Sequence, residues 1–518
     1  MSNKQVLPGK SKAQVEVRDL RGGFEPFELA GAADEVGLDG AALEARLGPW
    51  MAALVEHGHL PCAATLVARR GKVAYCKGTG QQTASRPIAD DTIYRIYSMT
   101  KPITSTALMM LHEEGRFLLS HPAHLYLGPK WNKKAMRVLS NGKLVPCDKT
   151  ITIRMLLTHT SGLSYGFQGN EKHNPVDITY RKELQPASPP QHALARFVED
   201  VLPALPLCFQ PGTAYNYSYA TDVIGRLVEV LSGVPLAQFL RDRVFTPLRM
   251  ADTAFTPDLL ALDAPKAEAR LADCFIEDPG PLGIGANDKP KGKAKAKGKA
   301  KAGGPAPAPS QEQRVAARAQ GYAFGPAPKL RRARAEQLAA GAFHGASGGG
   351  GLTSTLADYY RFAQCMLNGG ELRGSRLLSR RTVQWMTANH LPGGAAMDAL
   401  SLPGFREVTA PATGFGLGFS VVLDGTRSGD MASTGSFAWG GAASTLFWCD
   451  PQEELVVVFM TQVLGLDRLR LPLRTILANV VSGAIVDSGA SGGRDQGQGR
   501  AAASAQQPPS AHTISSRL

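Results

Sequence analysis

Strand-forming runs lie near both ends of this 518-residue chain, and helical periodicity fills the stretch between them. Ala63 to Ala68 and Lys72 to Cys76 are short β runs joined at Arg70-Gly71, which read as a hairpin. Phe415 to Leu423, Ser444 to Cys449 and Leu455 to Thr461 read as further strands, followed by a helix from about Asp467 to Ile485. Strands at both termini around a helical middle predict an α/β fold of the α+β type, in which one sheet is made from the two ends and a helical domain is inserted. The expected organisation is an irregular lead-in over 1–37, a sheet domain from 38–119 plus 400–485, and a mostly helical domain over 120–399. A site would lie in the crevice between the two domains.

Local signals fill in this frame. Leu43, Leu47, Met51, Leu54 and Val55 have helical spacing within Leu38 to His57, with Gly48-Pro49 expected to kink or divide the helix. Val223, Ile224, Leu227, Val228 and Leu231 mark a helix from about Thr221 to Ser232, which Gly233 terminates. Another begins after Thr355, where Thr355 and Asp358 have capping-box spacing, and ends near Asn368-Gly369-Gly370.

The net charge of +13 suggests a nucleic-acid partner until its distribution is examined. Seven lysines alternate from Lys289 to Lys301, inside a Lys/Gly/Ala/Pro segment (286–311) that can bury nothing and is expected to be a solvated, disordered insertion. No aromatic-interleaved groove or reader motif accompanies it, which disfavours nucleic acid. No apolar run approaches the roughly 18 to 20 residues of a membrane span. The N-terminal stretch has no apolar segment of a secretory signal. Seven scattered cysteines without a Cys-x-x-Cys pair indicate reduced thiols, an intracellular compartment and no zinc site. Residues 486–518 are Gly/Ser/Ala/Gln/Pro-rich, expected to be disordered, and finish in Ser516-Arg517-Leu518. That ending is a relative of the Ser-Lys-Leu peroxisomal address, so a peroxisomal import receptor is an expected partner and the cytoplasm the alternative location.

The chemistry centres on Ser98 and Lys101, three apart and so on one face of a helix. Pro102 is tolerated in a first turn, which places the helix start close to Ser98; Ile103, Ala107, Met110 and Leu111 then recur at helical spacing until Gly115. A desolvated lysine there could take the serine proton, and the helix N-terminus would favour an adjacent oxyanion. Ser-x-x-Lys alone is a weak pattern: it recurs at Ser140 to Lys143, across an Asn141-Gly142 turn. Tyr217, in a turn leading into a helix, is a candidate acid or base, or else a packed aromatic. In Phe437 to Ala443 the glycine pair inside a strand pattern marks close approach, as an edge strand offering an N–H to an oxyanion or as a bulge. Gly-x-Ser-x-Gly occurs at 345–349 and 489–493, but neither follows a strand and opens a helix as a nucleophile elbow must. His121 and His124 lack a third metal ligand, and His159 reads as a structural histidine.

These motifs, in this order, resemble the serine β-lactamase and penicillin-binding superfamily, in its class C-like esterase and transacylase branch, over roughly residues 40 to 485. Ser98-Met99-Thr100-Lys101 is similar to the nucleophile motif and Leu156 to Leu163 to the Leu-Leu-x-His-x-Ser-Gly-Leu segment. Pro211-Gly212 with Tyr217-Ser218 is similar to the catalytic tyrosine region, and Trp439-Gly440-Gly441 stands where β-lactamases have Lys-Thr-Gly. The resemblance implies a β-lactamase/transpeptidase-like fold, an antiparallel sheet flanked by helices, with no cofactor and no metal. It implies an acyl-enzyme hydrolase acting on a small-molecule ester or acyl substrate. Ser98 would be the nucleophile, Lys101 and Tyr217 the proton shuttle, and the N–H groups of Ser98 and Ala442 the oxyanion donors. Trp439, with Gly440 and Gly441, would line the substrate site, Trp439 as an apolar wall. Tyr219 stands where lactamases and peptidases have Asn, and no basic residue precedes the glycines, which argues against penicillin hydrolysis. The alternatives are an acyltransferase, then a β-lactamase or D-Ala-D-Ala peptidase, then a catalytically silent scaffold.

Overall fold

The computed structural model describes residues 15–166, 174–184, 192–277, 327–333, 338, 343–344, 346–402, 411–466 and 471–486. The lysine-rich insertion, the C-terminal Ser516-Arg517-Leu518 and the second Gly-x-Ser-x-Gly lie outside these residues.

Both chain ends contribute to one eight-stranded sheet. Its strands are β1 (Val17–Asp19), β2 (Cys62–Arg69), β3 (Lys72–Gly80), β4 (Thr413–Phe415), β5 (Ser420–Val422), β6 (Phe437–Gly440), β7 (Leu446–Asp450) and β8 (Leu455–Met460). The order is β1-β3-β2-β8-β7-β6-β5-β4, and every neighbouring pair is antiparallel. The β2–β3 hairpin turns at Arg70 and Gly71, both with positive φ (52° and 78°). The first and last segments of the chain meet at the centre, where β2 pairs with β8 over Arg69↔Leu455 to Ala64↔Met460.

These central strands are buried on both faces, and their period of two distributes side chains between two cores. Ala64, Leu66, Val456, Val458 and Met460 face one core; Ala63, Val67, Leu455, Val457 and Phe459 face the other. Helices α1 (Gly40–Glu56) and α5 (Leu473–Ser482) cover the second face. The first face carries α4 (Leu356–Leu367) and, beyond it, α2 (Thr100–Glu113) packed on α3 (Ala220–Ser232). Local capping agrees with the sequence: Thr355 Oγ1 accepts the Asp358 N–H, and Gly233 closes α3 at φ 80°. Ser140 to Lys143 is the turn of a small hairpin, with Asn141 and Gly142 at φ 49° and 75°.

Three expectations need correction. Gly48-Pro49 does not divide α1, which runs unbroken for 17 residues. Pro49 points to solvent while Leu43, Leu47, Trp50, Met51 and Leu54 are fully buried. At about 1.5–3 kcal/mol each, those side chains outweigh an interior proline's cost of about 3 kcal/mol. Phe415 to Leu423 is not one strand but the β4–β5 hairpin, because Gly416 bonds back to the Phe419 carbonyl and Gly418 adopts φ 103°. The Trp439-Gly440 strand is not an edge of the sheet: β6 lies between β5 and β7. Its pairing with β5 stops at Ala438, so its last two residues outrun that partner while continuing on β7.

A buried charge cluster fixes the lead-in to the first face. Glu28, 2% exposed, sits between Arg361 of α4 and Arg373, and Arg361 also donates to Asp358 at 3.2 Å.

Candidate active site

Ser98 is presented by strained backbone. The strand Tyr94–Arg95 pairs with Leu352–Ser354, and Ile96 N–H bonds the Leu352 carbonyl at 3.1 Å. Tyr97 then adopts φ 42°, an outlying conformation for a bulky side chain that persists only where its surroundings over-determine it. Those surroundings are present: the Tyr97 hydroxyl donates to the Leu338 carbonyl (3.3 Å) and the Tyr359 hydroxyl to the Met99 carbonyl (2.9 Å). Tyr97 and Met99 are buried, and Ser98 between them is partly exposed. A 3-10 turn over Tyr97–Met99 leads into α2, which is buried from Thr100 to Leu111.

Lys101 lies one turn on, 2% exposed, with Nζ 3.1 Å from Ser98 Oγ and donating to the Gly349 carbonyl at 2.5 Å. Nζ also stands 4.6 Å above the Tyr217 ring and 5.1 Å above that of Tyr165. Burial pulls the amine down to about 7 from 10.5, with Asp222 opposing. Near neutrality the amine can therefore lose its proton and accept that of Ser98. Burial pushes the Asp222 carboxyl up, with Lys101 opposing. His159 is held well below its usual range by burial and by Lys101, so it stays neutral; its Nδ1 lies 3.3 Å from Ser218 Oγ, as a structural histidine would.

Tyr217 reaches this point because two motifs are tied together. Asn216 N–H bonds the His159 carbonyl and Asn216 Nδ2 the Leu163 carbonyl, each at 2.9 Å, clamping the His-Thr-Ser-Gly-Leu segment to the Tyr-Asn-Tyr turn. The Tyr217 ring packs on His159, Tyr165 and Trp439 at centroid distances of 4.8, 5.3 and 5.4 Å. Its oxygen accepts Trp439 Nε1–H at 3.2 Å. Trp439 is 3% exposed, backs Tyr217 and stacks edge-on with Phe415. Strand alternation turns its ring into the core beside Phe437, on the same face.

Beyond Gly440 the chain turns: Gly441 N–H bonds the Thr445 carbonyl at 2.8 Å and Ser444 N–H the Gly441 carbonyl at 3.0 Å. A Cβ on Gly441 would strike the Ile96 carbonyl and Thr445 Oγ1, so the turn bearing Ala442 lies directly against the segment bearing Ser98. Ala442 packs in one cluster with Tyr97 and Ala443. Ser98, Lys101, Tyr217, Trp439, Gly440, Gly441 and Ala442 are thus drawn from three separate segments to one place.

Sequence reasoning missed Tyr165, Asp222, Ser347 and Gly349. In the described part of the first Gly-x-Ser-x-Gly, Ser347 Oγ and Gly349 N–H both donate to Asp222, and the Gly349 carbonyl accepts from Lys101. One signal was there: four consecutive glycines, 348–351, mark close backbone approach. Asp222 shares its side of the helix with Arg226 and Glu229, where a carboxylate reads as a solvated charge. His121 Nδ1 pairs with the Tyr126 hydroxyl at 2.7 Å, and no three potential metal ligands cluster among the described residues. All seven cysteines are unpaired. No single described helix is long and apolar enough to cross a membrane.

The family model described as Beta-lactamase matches residues 49–481. Esterase EstB of Burkholderia gladioli is 33% identical over 259 residues, 48% of this chain and 62% of that protein. The lovastatin esterase of Penicillium rubens is 28% identical over 405 residues, 74% of this chain and 84% of that enzyme. Among solved structures, EstCE1, a hydrolase with promiscuous acyltransferase activity, has a TM-score of 0.60 at 21% identity, covering 85% of this chain and 99% of its own.

Proposed function

This chain belongs to the beta-lactamase family, and from that premise we propose that it is a serine hydrolase of carboxylic esters working through an acyl-serine intermediate. The observation that carries the reading is the desolvated Lys101 amine, 3.1 Å from the hydroxyl of the partly exposed Ser98. Ser98 Oγ attacks the ester carbonyl carbon as its proton passes to Lys101 Nζ. The resulting oxyanion is met by the N–H groups of Ser98 and Ala442. Tyr217, beside Lys101, relays the proton to the departing alkoxide, the carbon–oxygen bond breaks, and acyl-Ser98 remains. Water, activated by the same groups in reverse, releases the acid. An alcohol in its place makes the step an acyl transfer.

Tyr219 supports an ester over a β-lactam. Where an amide would grip a lactam side chain, this ring is 8% exposed and packed on Tyr165 and Phe197 at 4.4 and 5.1 Å. The relatives named as esterases favour the same substrate class.

The test is hydrolysis of p-nitrophenyl acetate and butyrate by wild type, Ser98→Ala, Lys101→Ala and Tyr217→Phe, with fluorophosphonate labelling in parallel. Loss of turnover in all three variants, and of labelling in Ser98→Ala, is the expected result; full activity in Ser98→Ala refutes the reading. Added alcohol trapped as a new ester measures the acyltransferase share. Ser516-Arg517-Leu518 is proposed as a peroxisomal address, and a fluorescent protein carrying the tail with and without Leu518 tests it; diffuse signal from both rejects it.

A further inference from the structure

Asp222 is a fully buried carboxylate in the first turn of α3. Its Oδ1 accepts from Ser347 Oγ (2.7 Å) and Gly349 N–H (3.0 Å), while Oδ2 has no hydrogen-bond partner among the described residues. A buried carboxylate oxygen without a donor is a burden on stability. The peptide that Asp222 holds is the one that matters to Lys101: Gly349 gives its N–H to Asp222 and its carbonyl to Lys101 Nζ. No side chain fits there, since a Cβ on Gly349 would lie 2.6 Å from Asp222 Oδ2 and 2.7 Å from the Tyr165 hydroxyl. The turn is wedged between two helices, with Thr104 of α2 donating to the Gly348 carbonyl at 2.8 Å and Gly348 against Gly225 of α3.

We propose that Asp222 is a positioning residue for the Ser98 reaction: it fixes the Gly349 carbonyl on Lys101 and offsets the positive charge that Lys101 gains on taking the Ser98 proton. This rests on the esterase reading above. The groups facing Lys101 are Ser98 from its own helix, Asp222 from α3, the rings of Tyr165 and Tyr217, and neutral His159. Those facing Asp222 are Lys101, Ser347, Tyr165 and Tyr219. Asp222 is thus the one carboxylate within this group, and an ammonium formed there without it would be a buried, uncompensated charge.

The experiment compares kcat/KM for p-nitrophenyl butyrate from pH 5.5 to 9.5 in wild type, Asp222→Asn and Ser347→Ala. Asparagine keeps the shape and the acceptor oxygen and removes the charge. Its plateau should fall about tenfold to a hundredfold, and its acid limb should move to lower pH by about one unit, because the lysine loses the charge that favours its protonation. Ser347→Ala, which removes one donor from the carboxylate, should move both in the same direction by less, and it carries the test if Asp222→Asn does not fold. A wild-type profile in these variants, or a uniform fall with the acid limb unmoved, overturns the proposal; the second is what a merely structural role gives. A readout independent of turnover is the NMR titration of Lys101 in 13C-lysine-labelled protein, its resonance identified by loss in Lys101→Met. An unchanged midpoint in Asp222→Asn overturns the proposal even if no ester is cleaved. Labelling of wild type against Ser98→Ala tests the esterase reading separately.

Discussion

Replacing Lys101 by methionine should make the protein more stable near neutral pH while destroying its activity, and the stability gain should fade as pH rises. A folded-state value of about 7 against 10.5 means that, between those limits, the unfolded chain binds a proton that the folded chain does not. Wild-type stability therefore rises with pH across that window, at about 1.4 kcal/mol per pH unit, and carries its full penalty below pH 7. From pH 6.5 to 9.5 the advantage of Lys101→Met over wild type should shrink by about 3 kcal/mol. Losing the hydrogen bond to the Gly349 carbonyl costs methionine about 1–3 kcal/mol, but equally at every pH, so it drops out of the difference. Asp222 is present in both proteins; Lys101 opposes the burial that raises its carboxyl, so losing Lys101 raises it further, and whatever stability this adds to the mutant is lost as pH rises, in the same direction. Urea unfolding of both proteins at the two pH values measures the change. A difference that does not vary with pH, or grows as pH rises, would show that Lys101 stays charged throughout and cannot be the base.

Gly441→Ala forces a methyl against the Ile96 carbonyl and should displace the Ala442 N–H, lowering kcat by about a hundredfold to a thousandfold with the far-UV spectrum unchanged. Near-wild-type turnover would exclude Ala442 as an oxyanion donor. Trp439→Phe keeps the ring stack but removes the Nε1–H on Tyr217, which should reduce kcat at least tenfold with KM within about threefold; a change in KM alone would make Trp439 a substrate wall and not a support for Tyr217. Glu28→Gln leaves Arg361 and Arg373 facing each other without their shared carboxylate and should destabilise by about 3–5 kcal/mol in urea. A loss under about 1 kcal/mol would mean that water reaches the pair.

What could be read from sequence was local. The apolar periodicity of α3 and its Gly233 stop, the Thr355 cap, and the Ser98-to-Lys101 spacing each depend on a few adjacent residues, and the structure shows all of them. What escaped the sequence came from distance. The N–H that Trp439 gives to Tyr217, 222 residues away, has no local signature. Pro49 looks like a break until its solvent-facing position is known. Asp222 and Ser347, 125 residues apart, carry no shared motif; only the seating of the 346–351 turn against Thr104 of α2 and Gly225 of α3 makes them partners.

The pairing of β2 with β8 bears on how the protein is made. Arg69 bonds Glu453 across 384 residues, so the two strands at the centre of the sheet leave the ribosome that far apart along the chain. Closing a loop of that length costs about 5 kcal/mol in chain entropy by the (3/2)RT ln n rule. The outward side of β2 must therefore wait, apolar and unpaired, until residues 455–460 are synthesised, which makes the nascent chain a client for holding chaperones and its folding slow by contact order. The same logarithm explains why the middle of the chain tolerates added length. The 26 residues from 286 to 311 raise the closure cost by less than about 0.1 kcal/mol.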